Sequence, residues 1–281
     1  MTSVDTPEET DYGIAAVTDG HCHYWEDGPE DGPCILLIHG ATVPAWEFDR
    51  LVPFLTREGY RVLRVDLFGH GGSDRPRTRY DYDLFARQII DFLDLFELRD
   101  RVHVVGHSLG SAIAATVACR IPDQIGKLVL AAPLVDFTGD RAMMKLVRAP
   151  VLGEILMPSL VIPLLIRRRT KRYRNIEDGR FVGKFKEQLQ VPGFGRALLS
   201  LFRSGTLGDQ GDRYRALANE AHDVLILRGS DDNIVTREQV DQLLELHPRA
   251  RHEEIDGVPH AFLLTDPERV APHILSFLAQ A

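Results

Sequence analysis

Apolar and polar positions along this chain predict strands and helices taking turns. The runs Cys34-Ile-Leu-Leu-Ile-His39 and Asp223-Val-Leu-Ile-Leu-Arg-Gly229, and the stretch 127–132, are apolar almost throughout, as strands covered on both faces are. Further strands are expected over 60–67, 102–105 and about 251–255. Helices are expected over about 45–57, 82–96, 112–119, 236–246 and 268–278. The stretches 13–17 and 22–26 read as two edge strands joined at the hairpin signal Asp19-Gly20. Alternation at this spacing predicts a parallel sheet with helices on both sides.

The alternation stops from about Val135 to Glu220, where no strand is expected and prolines 150, 158, 163 and 192 punctuate the chain. One α/β unit interrupted by a helical insertion is the simplest account. Residues 1–134 and 221–281 are then the core and 135–220 the insertion.

The candidate chemistry sits where a β-branched strand, Val102, Val104 and Val105, runs through Gly106-His-Ser-Leu-Gly110 into an alanine-rich helix. A strand-to-helix turn this tight needs small residues two places either side of the serine, and it holds Ser108 over a helix N-terminus with unpaired N–H groups. The pentapeptide alone arises by chance in on the order of one chain in ten of this length. Its setting between strand and helix is what gives it weight. A serine hydroxyl needs a base and a group that orients the base, and such groups gather beyond the C-terminal ends of the strands. Asp231 and Asp232 follow the strand ending at Gly229, His260 follows the last strand, and Asp136, after the preceding strand, is a rival acid.

Composition narrows the setting. With 281 residues, 44% hydrophobic and 26% charged, the chain is long enough for one large core. A formal charge of −8 argues against a nucleic-acid-binding surface. Cys22, Cys34 and Cys119 have no metal or redox spacing, and residues 1–11 are acidic and polar where an export signal needs a basic start and an apolar run. A cytoplasmic protein is expected. Gly69-x-Gly71 lacks the third glycine of a dinucleotide fingerprint, and neither Gly126-Lys127 nor Gly183-Lys184 is followed by Ser or Thr, so no nucleotide cofactor is expected. His21-Cys22-His23 offers two imidazoles on one strand face but no third ligand nearby, and no metal is assigned.

His39-Gly40, Asp66-Leu-Phe-Gly-His-Gly-Gly-Ser-Asp74, the serine turn, Gly229-Ser-Asp-Asp232 and Gly257-Val-Pro-His260 together resemble the α/β-hydrolase superfamily. The resemblance runs from about Cys22 to the end and is weakest in the insertion. It implies an α/β-hydrolase fold with a mostly parallel eight-stranded sheet flanked by helices. The insertion, placed after the sixth strand, would be a helical cap roofing the active site. It selects Asp232 as the acid and His260 as the base, and implies an oxyanion hole from the N–H groups of Leu109 and Ala41, with Thr42 the alternative to Ala41. The expected activity is hydrolysis of carboxylic esters of small to medium apolar substrates through an acyl-enzyme. Trp46, Phe68, Phe137, Val235 and Phe262, near motif ends, are the candidate substrate-binding residues. Relatives that open epoxides or displace halide carry Asp at the serine position. Carbon-carbon bond hydrolases of ring-cleavage products remain an alternative, although they commonly have Asn where this chain has His107. A small-molecule receptor on the same fold is a second alternative. Residues 146–166 are strongly apolar, and Arg167-Arg-Arg-Thr-Lys-Arg-Tyr-Arg174 follows. A peripheral membrane contact through 146–174 is conceivable, but a pocket-lining cap helix with a solvated basic end is the favoured reading.

Overall fold

The all-buried run β3 (Cys34–Ile38) and β5 (Val102–His107), buried except at His103, lie side by side at the middle of the sheet, where both faces are covered. The computed structural model describes residues 12–280 apart from 97, 99, 138–140 and 174–175. The acidic start, residues 1–11, and Arg174 of the basic run lie outside the described residues.

The sheet has eight strands in the order β1-β2-β4-β3-β5-β6-β7-β8, with β1 (Tyr12–Val17), β2 (Gly20–Asp27), β4 (Arg61–Val65), β6 (Ile125–Ala131), β7 (Val224–Gly229) and β8 (Arg251–Ile255) completing it. From β4 to β8 all pairings are parallel, and β1–β2 and β2–β4 are antiparallel. The predicted hairpin forms, but of its two strands only β1 lies at a sheet edge. β2 pairs with β4 on its other side, because Tyr24 to Asp27 continue past the hairpin and find Val62 to Val65.

The expected helix over 45–57 is two pieces, a 3-10 turn Ala45–Phe48 and α1 (Val52–Arg57). Pro53 lacks an N–H and fits only in a first turn, so a helix restarts around it. Helices α2 (Tyr82–Leu93), α10 (Arg237–Leu246) and, after the short α11 (Phe262–Thr265), α12 (Pro267–Leu278) fall close to expectation, and Thr236 and Gln239 close a capping box on α10. Helix α3 (Leu109–Arg120) is buried from Leu109 to Ala118 and carries no polar stripe, as a helix wedged between sheet and other helices should.

Between β6 and β7 come α4 (Arg141–Arg148), α5 (Leu152–Leu156), a π-helical turn Met157–Val161, α6 (Ile162–Tyr173), α7 (Arg180–Gln190), α8 (Phe194–Ser204) and α9 (Gly211–Ala218). The last of these packs on α3 and α10 of the core rather than over the sheet edge. Its sequence carried no mark separating it from the helices before it. The apolar stretch 146–166 is not one helix. Leu160 and Leu164 line a cavity below, whereas Val151 is 72% and Ile155 58% exposed. Among the described residues, no helix is long and apolar enough to cross a membrane.

Candidate active site

The serine turn is fixed by two close approaches. A Cβ on Gly106 would lie 2.4 Å from the Gly110 carbonyl oxygen, and one on Gly110 2.1 Å from that of Ile38, so only glycine lets α3 start this near the sheet. Ser108 itself has φ 53°, a positive value that L residues rarely adopt. Its N–H donates to Ala131 (2.9 Å) and its carbonyl accepts from Leu134 N (3.1 Å), which over-determines the strained backbone. The hydroxyl is left half-buried on the wall of a cavity of about 650 Å³.

His260 lies on the same wall. Its Nδ1 is 2.8 Å from Asp232 Oδ2, and the carboxylate, an acceptor only when ionised, requires that nitrogen to carry the hydrogen. The other ring nitrogen is thereby the unprotonated one. Asp232 Oδ1 accepts from Ile234 N (2.7 Å) and Val235 N (3.0 Å), locking the carboxylate. Burial by itself would raise the Asp232 carboxyl, but the His260 hydrogen bond and charge and the two N–H groups outweigh it and hold the group below the ordinary carboxylate value. Burial lowers His260 below 6.5 despite the opposing pull of Asp232. The two rival acids make no contact with His260. Asp231 donates its N–H to Val258 and is exposed, and the Asp136 carbonyl accepts from Gln239.

The loop after β3 is pinned at consecutive peptides. His39 accepts from Leu67 N at Nε2 (2.9 Å), so its Nδ1–H donates to the Gly40 carbonyl (2.7 Å). Glu47 Oε1 accepts the Gly40 N–H (3.0 Å). His70 Nε2 meets the Ala41 carbonyl at 2.9 Å, and its Nδ1 lies 3.2 Å from the Phe68 carbonyl. Burial pushes His70 down to about 4, so it has one N–H to give, and the shorter contact takes it. Held this way, neither the Ala41 nor the Leu109 N–H donates to a protein acceptor among the described residues. Asp66 secures the next loop by accepting from Ala45 N and Gly72 N, each at 2.9 Å.

A second imidazole lies beneath the first. His107 Nδ1 is 3.1 Å and 3.2 Å from the two Glu47 oxygens, and Nε2 is 3.0 Å from the His260 carbonyl oxygen. Both nitrogens face acceptors, so the ring is an imidazolium paired with a buried carboxylate. Burial opposes that charge, but Glu47 and the His260 carbonyl more than compensate, and His107 is held above 6.5. Glu47 thus ties the Ala41 loop to the His260 loop. Sequence reasoning missed this role, since an acidic residue within a predicted helix gives no sign of being buried.

The five candidate pocket residues divide. Phe137 lines the cavity and is 39% exposed at its mouth. Phe68, Val235 and Phe262 are buried core residues that do not line it. Trp46 packs against Phe181, ring centroids 5.3 Å apart, and also lies off the wall. Helices of the insertion build most of the wall instead, through side chains such as Met144, Val161, Leu165, Phe181 and Leu198. Among the described residues, no group of three or more His, Cys, Asp or Glu could hold a metal ion, and His21 is engaged by Asp74.

A parallel sheet with a nucleophile-type serine turn after its fifth strand, and an acid and a histidine after the seventh and eighth, defines an α/β hydrolase. The sequence pattern of the "Alpha/beta hydrolase family" matches residues 35–273, and the chain belongs to that family. It is 28% identical to a non-heme chloroperoxidase from Streptomyces lividans, over 95% of this chain and 99% of that protein. It is 27% identical to a bifunctional esterase/perhydrolase from Acinetobacter calcoaceticus, again over 95% and 99%. The bromoperoxidase from Bacillus anthracis superposes with a TM-score of 0.82 at 21% identity, covering 96% of this chain and all of the other, a likeness of fold.

Proposed function

We propose that the protein is a serine hydrolase that cleaves carboxylic esters of small to medium apolar substrates through an acyl-enzyme. The observation that carries this is the 2.8 Å His260–Asp232 contact on the wall that also holds Ser108. Ser108 Oγ attacks the ester carbonyl while His260 Nε2 takes its proton. The proton then passes to the departing alcohol, and water repeats the sequence to release the acid. Asp232 keeps His260 in the tautomer that can accept. The Leu109 and Ala41 N–H groups receive the negative oxygen of the tetrahedral intermediate, each worth roughly 3 kcal/mol in the transition state. The helices over the site serve as a cap whose apolar wall favours hydrocarbon over water.

A panel of p-nitrophenyl esters from acetate to dodecanoate should show a maximum at short to medium acyl length. A flat profile removes the pocket argument, and turnover of a coloured ring-cleavage dienoate without ester cleavage transfers the site to carbon-carbon hydrolysis. The names of the two full-length relatives favour one added reading: hydrogen peroxide can replace water in the second half-reaction, turning the acyl group into a peracid and regenerating Ser108. Running the panel with peroxide and assaying peracid tests it.

The base must be neutral to accept a proton, and His260 lies below 6.5. The acidic limb of kcat/KM should therefore fall at an apparent pKa under 6.5, leaving the enzyme active in mildly acidic solution. A limb at or above that value contradicts His260 as the base in this environment.

A further inference from the structure

The cavity wall is mostly apolar, and apart from Ser108, His260 and the polar side chains Thr42, Glu47, His107 and Asn233 beside them its polar groups come from one face of α6. Leu164, Leu165, Arg168 and Arg169 all lie on its wall, the spacing of one helical face turned inward. Arg169 is half-buried. Its Nη1 is 3.1 Å from the Tyr173 hydroxyl and its Nη2 3.4 Å from Thr42 Oγ1, and the guanidinium sits over the Tyr173 and Phe185 rings at 5.3 and 5.9 Å. These contacts fix its position, but none brings a negative charge. Among the described residues no carboxylate pairs with Arg168 or Arg169. Among the described residues the one acid on the cavity wall, Glu47, is already engaged by His107 and the Gly40 N–H. Although the chain's net charge is −8, the cavity wall thus carries, among the described residues, two guanidinium groups without a carboxylate partner, Arg169 half-buried and Arg168 exposed at its edge to solvent.

A guanidinium cannot shed its charge, and holding it against an apolar cavity without a counter-ion costs desolvation that a bound anion would offset. Its planar fork suits a carboxylate, which it can meet with two parallel N–H donors. Thr42 follows Ala41, so the cation stands near the proposed oxyanion donor, on the wall of the space a substrate chain would fill.

We infer that Arg169, supported by Arg168, is a carboxylate-recognition site, and that the preferred substrates are esters or lactones bearing a second, free carboxylate on an otherwise apolar chain. The inference rests on the hydrolase reading above and names the substrate class for that same site. The cationic wall also draws anions towards the cavity from solution, so the preference weakens as salt rises.

The test compares matched pairs that differ only in the free carboxylate. On the acyl side, these are the p-nitrophenyl monoesters of glutaric, adipic and suberic acids against p-nitrophenyl esters of monoacids of equal chain length. On the alcohol side, they are 4-acetoxybenzoate against phenyl acetate. Whichever arm shows the preference locates the charge in the acyl or the alcohol part. The anionic member should be favoured about ten- to a hundredfold in kcat/KM, chiefly through KM. Arg169→Gln should erase that ratio, and Arg169→Lys should restore part of it by returning the charge without the fork. If the ratio is near one in the wild type, or the same in Arg169→Gln, the inference is overturned. A variant damaged only in packing lowers both members and leaves the ratio standing, which counts against it as well. Should no ester be cleaved, titration calorimetry of adipate and suberate into the Ser108→Ala protein still decides the site. Binding lost in Ser108→Ala/Arg169→Gln supports recognition, and no binding to Ser108→Ala rejects it, separately from the fate of the hydrolase reading.

Discussion

Replacing Ser108 with Ala should lower kcat on ester substrates by a factor on the order of 10⁴ to 10⁶ while leaving the fold and its melting temperature nearly unchanged. The hydroxyl is half-buried on the cavity wall, and the backbone that holds it is fixed by Ala131 and Leu134 rather than by the side chain. Three groups acting as one unit do not lose activity additively. Ser108→Ala combined with His260→Ala should accordingly be no worse than either alone, and Asp232→Asn should cost about 10⁴ by presenting the wrong His260 tautomer. A fluorophosphonate probe should label the wild type at Ser108 and not the variant. Equal labelling of both, or none of either alongside tight small-molecule binding, would move the protein to the receptor reading.

Glu47→Ala should destabilise the fold by about 3–5 kcal/mol near pH 6, because it strands the His107 imidazolium inside the protein. Glu47 is 3% and His107 4% exposed, so solvent cannot take over the lost partner. The pH dependence has a definite sign. His107 is raised above 6.5 in the folded protein, so the pair's contribution is fully present below 6.5 and is lost as pH climbs through the raised value. The deficit of the variant, read by denaturant melts from pH 5.5 to 9, should be largest at the acidic end. A deficit that grows with pH would contradict a charged pair. Glu47→Gln keeps an acceptor for the Gly40 N–H but removes the charge. His107 then loses the partner that holds it cationic, and with that cation gone His260 is lowered less. The charges bearing most on His260 are those of Asp232, His107 and Arg169, and of these only that of His107 changes in this variant. The acidic limb of kcat/KM should therefore shift upward in Glu47→Gln, a readout that mere loss of packing would not move.

Much of this was legible before any coordinates. Gly106 and Gly110 marked a turn too tight for a side chain, and the covered runs at 34–38 and 224–229 marked central parallel strands, because local sterics and two-sided burial leave their mark in residue type. The order of serine, acid and histidine after the fifth, seventh and eighth strands marked the candidate site because, in a parallel sheet, strand ends share one rim. The aromatic residues near motifs were less informative. Phe68 and Phe262 are apolar whether they face a cavity or a core, and residue type cannot separate the two. The basic run at 167–174 announced itself, but not which of its arginines turns inward.

Chain order and residue type thus determined the sheet, the serine turn and the acid and histidine candidates, since each depends on neighbours close in sequence or on a strand end. Only the tertiary structure decided that Glu47 bridges two loops far apart in the chain, from the Gly40 N–H through His107 to the His260 carbonyl, the last step alone spanning 153 residues. Only it placed Arg169 against Thr42, with no carboxylate partner among the described residues. Such contacts join residues that share no local pattern, and their energy comes from burial of charge, which exists only once the surrounding chain has excluded water.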